Sequence, residues 1–373
     1  MGRFRDVELA DLELTGDRLL LRRWRPEDAT RVYEVMQDAS MYEFMALPRP
    51  YTVAAAREFV TGAGHEGRGE GTGMGAAVVD RVTGRVVGSA ALRLTGQADV
   101  GYWIAPDARG HGYAREVCRL LASFGFGLGL PRVQLVCDVR NVASARTALA
   151  AGFGFEGVAR DAGRTTSPIP KPADLAWFAR LPESPDAPVA YAFATLPPGG
   201  LTDGVIGLRA LAASDAAAFA ETDDDLTLRV GFGGPTSTAR DYERAAARAA
   251  LDWLVGTRAM FAITDVETGS FAGSVTLRPA GPPQVGGIGY VVHPAFRGRG
   301  YTTLALRLLL PWAFETAGFA RLELGAKITN VASRRAAERA GFEADGIRRC
   351  RLRNVDGTFA DEARYALVKP DYA

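Results

Sequence analysis

The most informative chemistry-bearing residues form a short run, Arg109-Gly110-His111-Gly112-Tyr113-Ala114, between a strand-like segment ending in Trp103-Ile104-Ala105 and a stretch of helical spacing over 112–126. Glycines let a backbone approach a ligand closely, and the unpaired amides at the start of a helix favour negative charge in front of them. A pyrophosphate suits such a bend, and an adjacent arginine adds charge-assisted bonds. Taken alone, the run also reads as a tight turn. Further on come Asn141-Val142-Ala143-Ser144 and Ala151-Gly152-Phe153. Ser144 has a hydroxyl that could move a proton, or it belongs to a helix cap. Asp99 and Glu116 flank the loop as acids, each readable as a base or as a solvated charge.

The same order of residues occurs twice. Arg297-Gly298-Arg299-Gly300-Tyr301-Thr302 repeats the glycine loop at a shift of 188, preceded by Val291-Val292-His293. Asn330-Val331-Ala332-Ser333 and Gly341-Phe342 return at 189, while Leu208-Arg209 repeats Leu21-Arg22 at 187. Asp265, Thr268-Gly269 and Gly273-Ser274 repeat Asp80, Thr83-Gly84 and Gly88-Ser89 at 185. Matches in one order with a slowly drifting offset mean internal duplication. The acids are not repeated: Asp99 faces Gly287 in the second copy, and Glu116 faces Leu304.

With these motifs in order, each half resembles the GNAT family of acyl-CoA-dependent N-acyltransferases, whose phosphate signature is Arg/Gln-x-x-Gly-x-Gly/Ala. Arg109, Gly112 and Ala114 match it; Arg297 and Gly300 match it in the second copy, where Thr302 departs at the last position. Gly-Tyr-Trp before the first loop, Asn-x-x-Ser after it and Ala-Gly-Phe beyond are similar to the Rim-type protein N-terminal acetyltransferases. The resemblance implies a strand that parts from its neighbour to admit acyl-pantetheine. Trp103, Ile104 and Ala105, or Val291, Val292 and His293, would then offer backbone, and Asn141 and Asn330 would bond the pantetheine amides. It implies that Ser144 and Ser333 protonate the departing thiolate and that Asp99 or Glu116 takes the amine proton. The implied cofactor is acetyl-CoA or coenzyme A, and the implied reaction is direct attack by a primary amine, a protein N-terminus or a small molecule. A longer acyl-CoA, or a non-catalytic CoA-binding module, are the competing expectations.

The elements that must position these groups form an α/β pattern read twice. The length of 373 residues and the Pro/acid-rich Pro182–Pro188 segment divide the chain into an N-terminal domain (1–182), a linker (183–199) and a C-terminal domain (200–373). In the first copy the expected strands are 18–23, 74–80, 85–94, 98–105, 132–138, 155–160 and 174–180, with helices opening at Pro26, near 52–62, and over 112–126 and 142–151. Val189 to Thr195 reads as one more strand. Basic and acidic residues nearly cancel, 44 against 43, which argues against a general grip on nucleic acid or anionic membrane. Cys118, Cys137 and Cys350 lie in apolar or strand-like contexts and are expected as buried free thiols, and no metal site is expected. A polar start over residues 1–11 and the lack of a long apolar run lead to the expectation of a cytoplasmic protein, either a monomer with pseudo-dimeric halves or a homodimer.

Overall fold

The computed structural model describes residues 11–65, 67, 71–94, 96–166, 170–191, 193–231 and 237–370; the polar start over 1–10 lies outside them. Two compact units divide at Ala190/Tyr191.

In the first unit, β1 (Leu14–Thr15) and β2 (Leu19–Arg22) lead into α1 (Asp28–Val35) and α2 (Val53–Thr61). The hairpin β3 (Gly73–Asp80) and β4 (Val86–Arg93) turns through Gly84, whose φ of 68° suits glycine. Then follow β5 (Asp99–Ile104), α3 (Tyr113–Gly127), β6 (Val133–Asp138), α4 (Val142–Ala150), β7 (Gly154–Arg164) and β8 (Pro172–Arg180). The eight strands are ordered β1-β2-β3-β4-β5-β6-β8-β7, antiparallel except for the central β5–β6 pair.

The second unit repeats this sheet with β9 (Leu201–Thr202), β10 (Ile206–Ala210), the helices α5 (Ala216–Ala220), α6 (Asp225–Val230) and α7 (Ala239–Val255), and β11 (Ala259–Asp265). After β12 (Phe271–Pro279) and β13 (Val285–Val292) come α8 (Tyr301–Pro311), β14 (Arg321–Lys327), α9 (Val331–Arg339), β15 (Glu343–Arg353) and β16 (Phe359–Val368). Its order, β15-β16-β14-β13-β12-β11-β10-β9, is the first unit's order read from the other edge.

Each sheet buries one apolar face under the helix that follows the glycine loop. On α3 the buried residues Val117, Cys118, Leu121, Ala122 and Gly125 recur at helical spacing. Gly125 packs closely: a Cβ there would lie 2.9 Å from Leu130 Cδ1 and 3.0 Å from Val133 Cγ2, so those side chains would have to shift. On α8 the same stripe is Tyr301, Ala305, Leu306, Leu309 and Leu310, packed on Leu322 and Leu324 of β14. Each fully buried leucine there contributes about 1.5–3 kcal/mol. The duplication extends to ion pairs. Arg22 grips Asp28 with bonds of 2.8 and 2.9 Å, and Arg209 grips Asp215 with two of 2.7 Å, fixing strand to helix at the start of each unit.

Two expectations need correction. Val189–Thr195 forms no strand among its described residues, and residue 192 lies outside them. Instead Val189 N–H bonds Leu149 O at 2.9 Å, while Phe193 is buried in the core of the second unit. Val189 and Tyr191 are exposed, and the segment is held by that backbone bond at one end and by Phe193 at the other. Asp186, in the proline-rich segment, bonds Arg180 at 2.7 Å and Arg119 at 2.5 Å, so this part lies on the first unit. Cys118 and Cys137 are buried free thiols as read, but Cys350 is exposed. It sits at a bulge of the β15–β16 hairpin with φ 49°, where the strand alternation that suggested burial is interrupted. No helix of the described residues is long and apolar enough to cross a membrane.

Candidate functional site

Both glycine loops form cradles whose geometry fits an anion. Gly110 and Gly112 adopt φ of 81° and 77°, and Gly298 and Gly300 adopt 78° and 80°. An added Cβ at Gly110, Gly298 or Gly300 would touch nothing within 4 Å, so glycine is needed there for the left-handed backbone and not for lack of room. The amides from Gly110 to Arg115 donate to no protein acceptor among the described residues. The first amide to close the helix is that of Glu116, which reaches Gly112 O. In the second unit Leu304 N–H reaches Gly300 O, leaving Gly298 to Thr303 equally open. A row of unpaired donors at a helix start fits a diphosphate.

A tyrosine fixes each cradle to the sheet. Tyr113 donates to Asp80 Oδ2 at 2.6 Å, and Tyr301 makes the same short bond to Asp265. The tyrosine bond and the Thr83 donors hold the Asp80 carboxyl down to about 2. Asp80 and Tyr113 both lie in the repeated motifs, yet their partnership was not legible because nothing in the spacing puts a hairpin turn beside a helix start 33 residues away. Arg18 was missed altogether. It donates to His111 O at 2.7 Å and lies 5.2 Å over the Tyr113 ring, bringing a half-exposed cation to the first cradle.

Beside each cradle the sheet opens. β5 pairs with β6 only at Asp99↔Gln134, and β13 pairs with β14 only from Val285 to Gly287. Beyond those points Gly101–Ile104 and Ile288–Val292 keep one partner strand each. Ala105 N–H bonds Val87 O, and His293 N–H bonds Ala272 O. By the alternation of an antiparallel ladder, Trp103 and Val291 also direct their backbone to that partner, and Tyr102, Ile104, Tyr290 and Val292 face the gap. Of the expected backbone contacts, Ile104 and Val292 therefore point into the gap, whereas Trp103, Ala105, Val291 and His293 do not.

Asn141 and Asn330 cap α4 and α9: their Oδ1 atoms accept from Ser144 N at 3.0 Å and Ser333 N at 3.1 Å. The serines are thus not caps themselves, and their hydroxyls are free for another bond. Ser144 Oγ lies 3.1 Å from Tyr102 Oη, and Ser333 Oγ lies 2.8 Å from Tyr290 Oη. Burial pushes both phenols above their ordinary value, Tyr102 strongly so. The Ser–Tyr hydroxyl pair at the gap is retained in both units. The tyrosines stand in the repeated Gly-Tyr step, which was the signal available for finding them.

The acids and arginines are placed differently from the expectation. Glu116 accepts from Arg18 N at 2.8 Å, Leu19 N at 3.1 Å and Arg18 Nε at 3.0 Å, stapling α3 to β2, so it is not a base at the gap. Asp99 does stand where β5 leaves β6, held in a fork with Arg93 (Nε–Oδ1 3.0 Å) across the β4–β5 ladder. The Arg109 guanidinium turns from the cradle to Ser40 Oγ at 2.9 Å and Met41 Sδ at 3.2 Å. Arg297 likewise takes Asp224 in a fork of 2.6 and 2.8 Å and Thr227 at 2.9 Å, holding the Asp224 carboxyl well below its usual range. Their Nε groups bond Ile104 O and Val292 O at 3.3 Å. Each arginine ties the gap-lining strand to the helical segment after the first strand, a positional role.

Two open cradles, two parted strand pairs and a repeated hydroxyl pair define a class of acyl-carrier-binding fold, and comparison with known proteins agrees. The acetyltransferase (GNAT) domain model matches residues 18–154 and again 206–343, and the chain belongs to this family. "Probable N-acetyltransferase YjcK" of Bacillus subtilis is 30% identical over 131 residues, 35% of this chain and 64% of that protein's length. "Uncharacterized N-acetyltransferase YoaA" of the same organism is 29% identical over 151 residues, covering 39% of this chain and 85% of YoaA. Among solved structures, Mycobacterium smegmatis RimJ in complex with CoA-disulfide is 24% identical, covers 46% of this chain and 86% of RimJ, and gives a TM-score of 0.41.

Proposed function

We propose that the chain is an acyl-CoA-dependent N-acyltransferase that moves an acetyl group to a primary amine. The observation that carries this reading is the repeated combination of unpaired loop amides with a parted strand pair and a Ser–Tyr hydroxyl pair. The N-acetyltransferases YjcK and YoaA, to which the chain is similar, support the same chemistry.

The amides of Gly110–Ala114 and Gly298–Thr302 would hold the diphosphate, with Arg18 adding charge in the first unit. Tyr102 and Ile104, or Tyr290 and Val292, would hold the pantetheine arm as an added strand, and the Nδ2 groups of Asn141 and Asn330 would bond its amides. When bound, acetyl-CoA supplies the activated acyl group. The C–N bond forms as the C–S bond breaks, and Ser144 or Ser333 delivers a proton to the departing sulfur, with the buried tyrosine hydroxyl holding the serine in place. In the first unit Asp99 takes the amine proton through water. A protein α-amine, with an ordinary pKa of about 7.7–8.0, needs little help to lose it. Protein or peptide N-termini are therefore the favoured acceptors.

The test is incubation of the full chain with acetyl-CoA and a panel of peptides and small amines, following free thiol. Thiol release that requires an amine, and that falls in the Ser144→Ala/Ser333→Ala double variant, is the expected result. CoA binding with no release on any amine would make the chain a binding module and overturn the transferase reading.

A further inference from the structure

We propose that the second unit selects amine acceptors carrying negative charge next to the reacting amine, specifically acidic peptide N-termini. The proposal rests on the transferase reading above and deepens it. Its basis is a cleft of about 440 Å³ in which five arginines, Arg278, Arg348, Arg351, Arg353 and Arg364, face one acid, Glu362. Leu352 and Phe359 supply its apolar surface.

This surplus is local. The whole chain balances 44 basic against 43 acidic residues. Glu362 is nearly buried and lies 3.9 Å from both Arg348 and Arg364, too far for a tight pair with either. Arg364 also bonds Glu323, but its Nε is buried with no partner. No ion pair joins Arg278, Arg351 or Arg353 to an acid among the described residues. The three guanidiniums without an acid among the described residues, those of Arg278, Arg351 and Arg353, add uncompensated positive charge to the cleft, and a carboxylate ligand relieves their repulsion with bidentate bonds.

The cleft lies at the acceptor end of the site. Arg278 is the cross-strand partner of Gly287, which is the last residue of β13 paired with β14. From Gly287 to Val292, beside the phosphate cradle, is about 17 Å of extended chain. The arginines therefore sit at the far end of the gap from the diphosphate, where an amine would enter. Strand registers place Arg278, Gly287, Glu323, Gly325, Arg364 and Glu362 on one face, opposite the apolar face under α8, and Glu323 is taken up by Arg321 and Arg364.

The first unit keeps only part of this charge. By the same registers, Arg348 corresponds to Ala159, Arg364 to Trp177 and Glu362 to Leu175, while Arg353 keeps an arginine, Arg164. Arg278 corresponds to Arg93, which is neutralised by Asp99, while the position of Asp99 is Gly287 in the second unit. One substitution, acid to glycine, both frees an arginine and opens space beside it. The two copies thus share a donor site and differ in the acceptors they take.

The experiment uses the full chain, with CoA bound, and three C-terminally labelled hexapeptides with a free N-terminus. They carry Glu, Gln or Lys at the second and third positions. Anisotropy with CoA bound measures binding, and thiol release with acetyl-CoA in place of CoA measures transfer. The expected result is at least tenfold tighter binding and a lower KM for the acidic peptide, a preference that shrinks with added salt. Arg278→Gln/Arg351→Gln abolishes the preference without changing CoA affinity, and Arg351→Glu/Arg353→Glu turns it toward the Lys peptide. Equal binding of the three peptides, or a preference that survives both double variants, overturns the proposal. Transfer to all three without preference sinks this proposal and leaves the transferase reading intact. Arginine-dependent binding of the acidic peptide without thiol release does the reverse.

Discussion

Ser144 and Ser333 illustrate how much a single side chain owes to its neighbours. Asn-x-x-Ser in a sequence is compatible with capping by either residue; here the asparagine caps, and the serine hydroxyl is left to a buried tyrosine. Replacing both serines by alanine is expected to lower kcat by about 100-fold, within the usual range for proton transfer, while the CoA dissociation constant stays unchanged. Stopped assays of thiol release with parallel CoA titration check both halves of that statement. Asp80 supports a prediction about pH. Its carboxyl is held down from 3.8 to about 2 by Tyr113 and Thr83, so the folded state favours the charged form. That stabilisation is complete above the unfolded value and is lost as pH falls towards the folded one. Wild-type protein should therefore lose stability more steeply than Asp80→Asn between about pH 4 and pH 2, as read by denaturant melts across that window; matching slopes would refute the assignment.

At the scale of elements, the loop before each central helix depends on backbone geometry that one methyl group disturbs. Gly112 and Gly300 cap α3 and α8 in the left-handed region, at φ 77° and 80°. Alanine there costs about 1–2 kcal/mol, by straining the turn or by rotating the amides away from their shared focus. Gly112→Ala and Gly300→Ala together should weaken CoA binding about tenfold or more, with the helix content in circular dichroism retained. Unchanged affinity would show that the amides are not the cradle. The elements themselves were largely legible, since 74–80, 85–94, 112–126 and 142–151 each emerge within a residue or two of their observed bounds. The short α5 and α6 were not, because an alanine-rich run and a polar six-residue helix carry little periodicity; α6 owes its start to Asp224, which caps it and also holds Arg297.

For the whole molecule the duplication sets an expectation of stoichiometry. Both units keep the open amides, the tyrosine–aspartate anchor, the parted strands and the Ser–Tyr pair, so isothermal titration should give two CoA per chain. Gly112→Ala should remove or weaken one class of site and Gly300→Ala the other; a single site in the wild type would mean that one cradle is closed.

The order of motifs alone determined that the chain is a twofold repeat of one α/β module with a glycine loop before its central helix, because backbone conformation at glycine and helix starts is a local property. It also located Asn141, Ser144 and their partners. Only the tertiary structure decided what the charged groups do: Glu116 became a staple, Arg109 and Arg297 became ties to the helical segment, and Asp99 took Arg93 while Arg278 was left without such a partner. A charge is defined by what stands within a few ångströms of it, and strands far apart in the chain supply those neighbours.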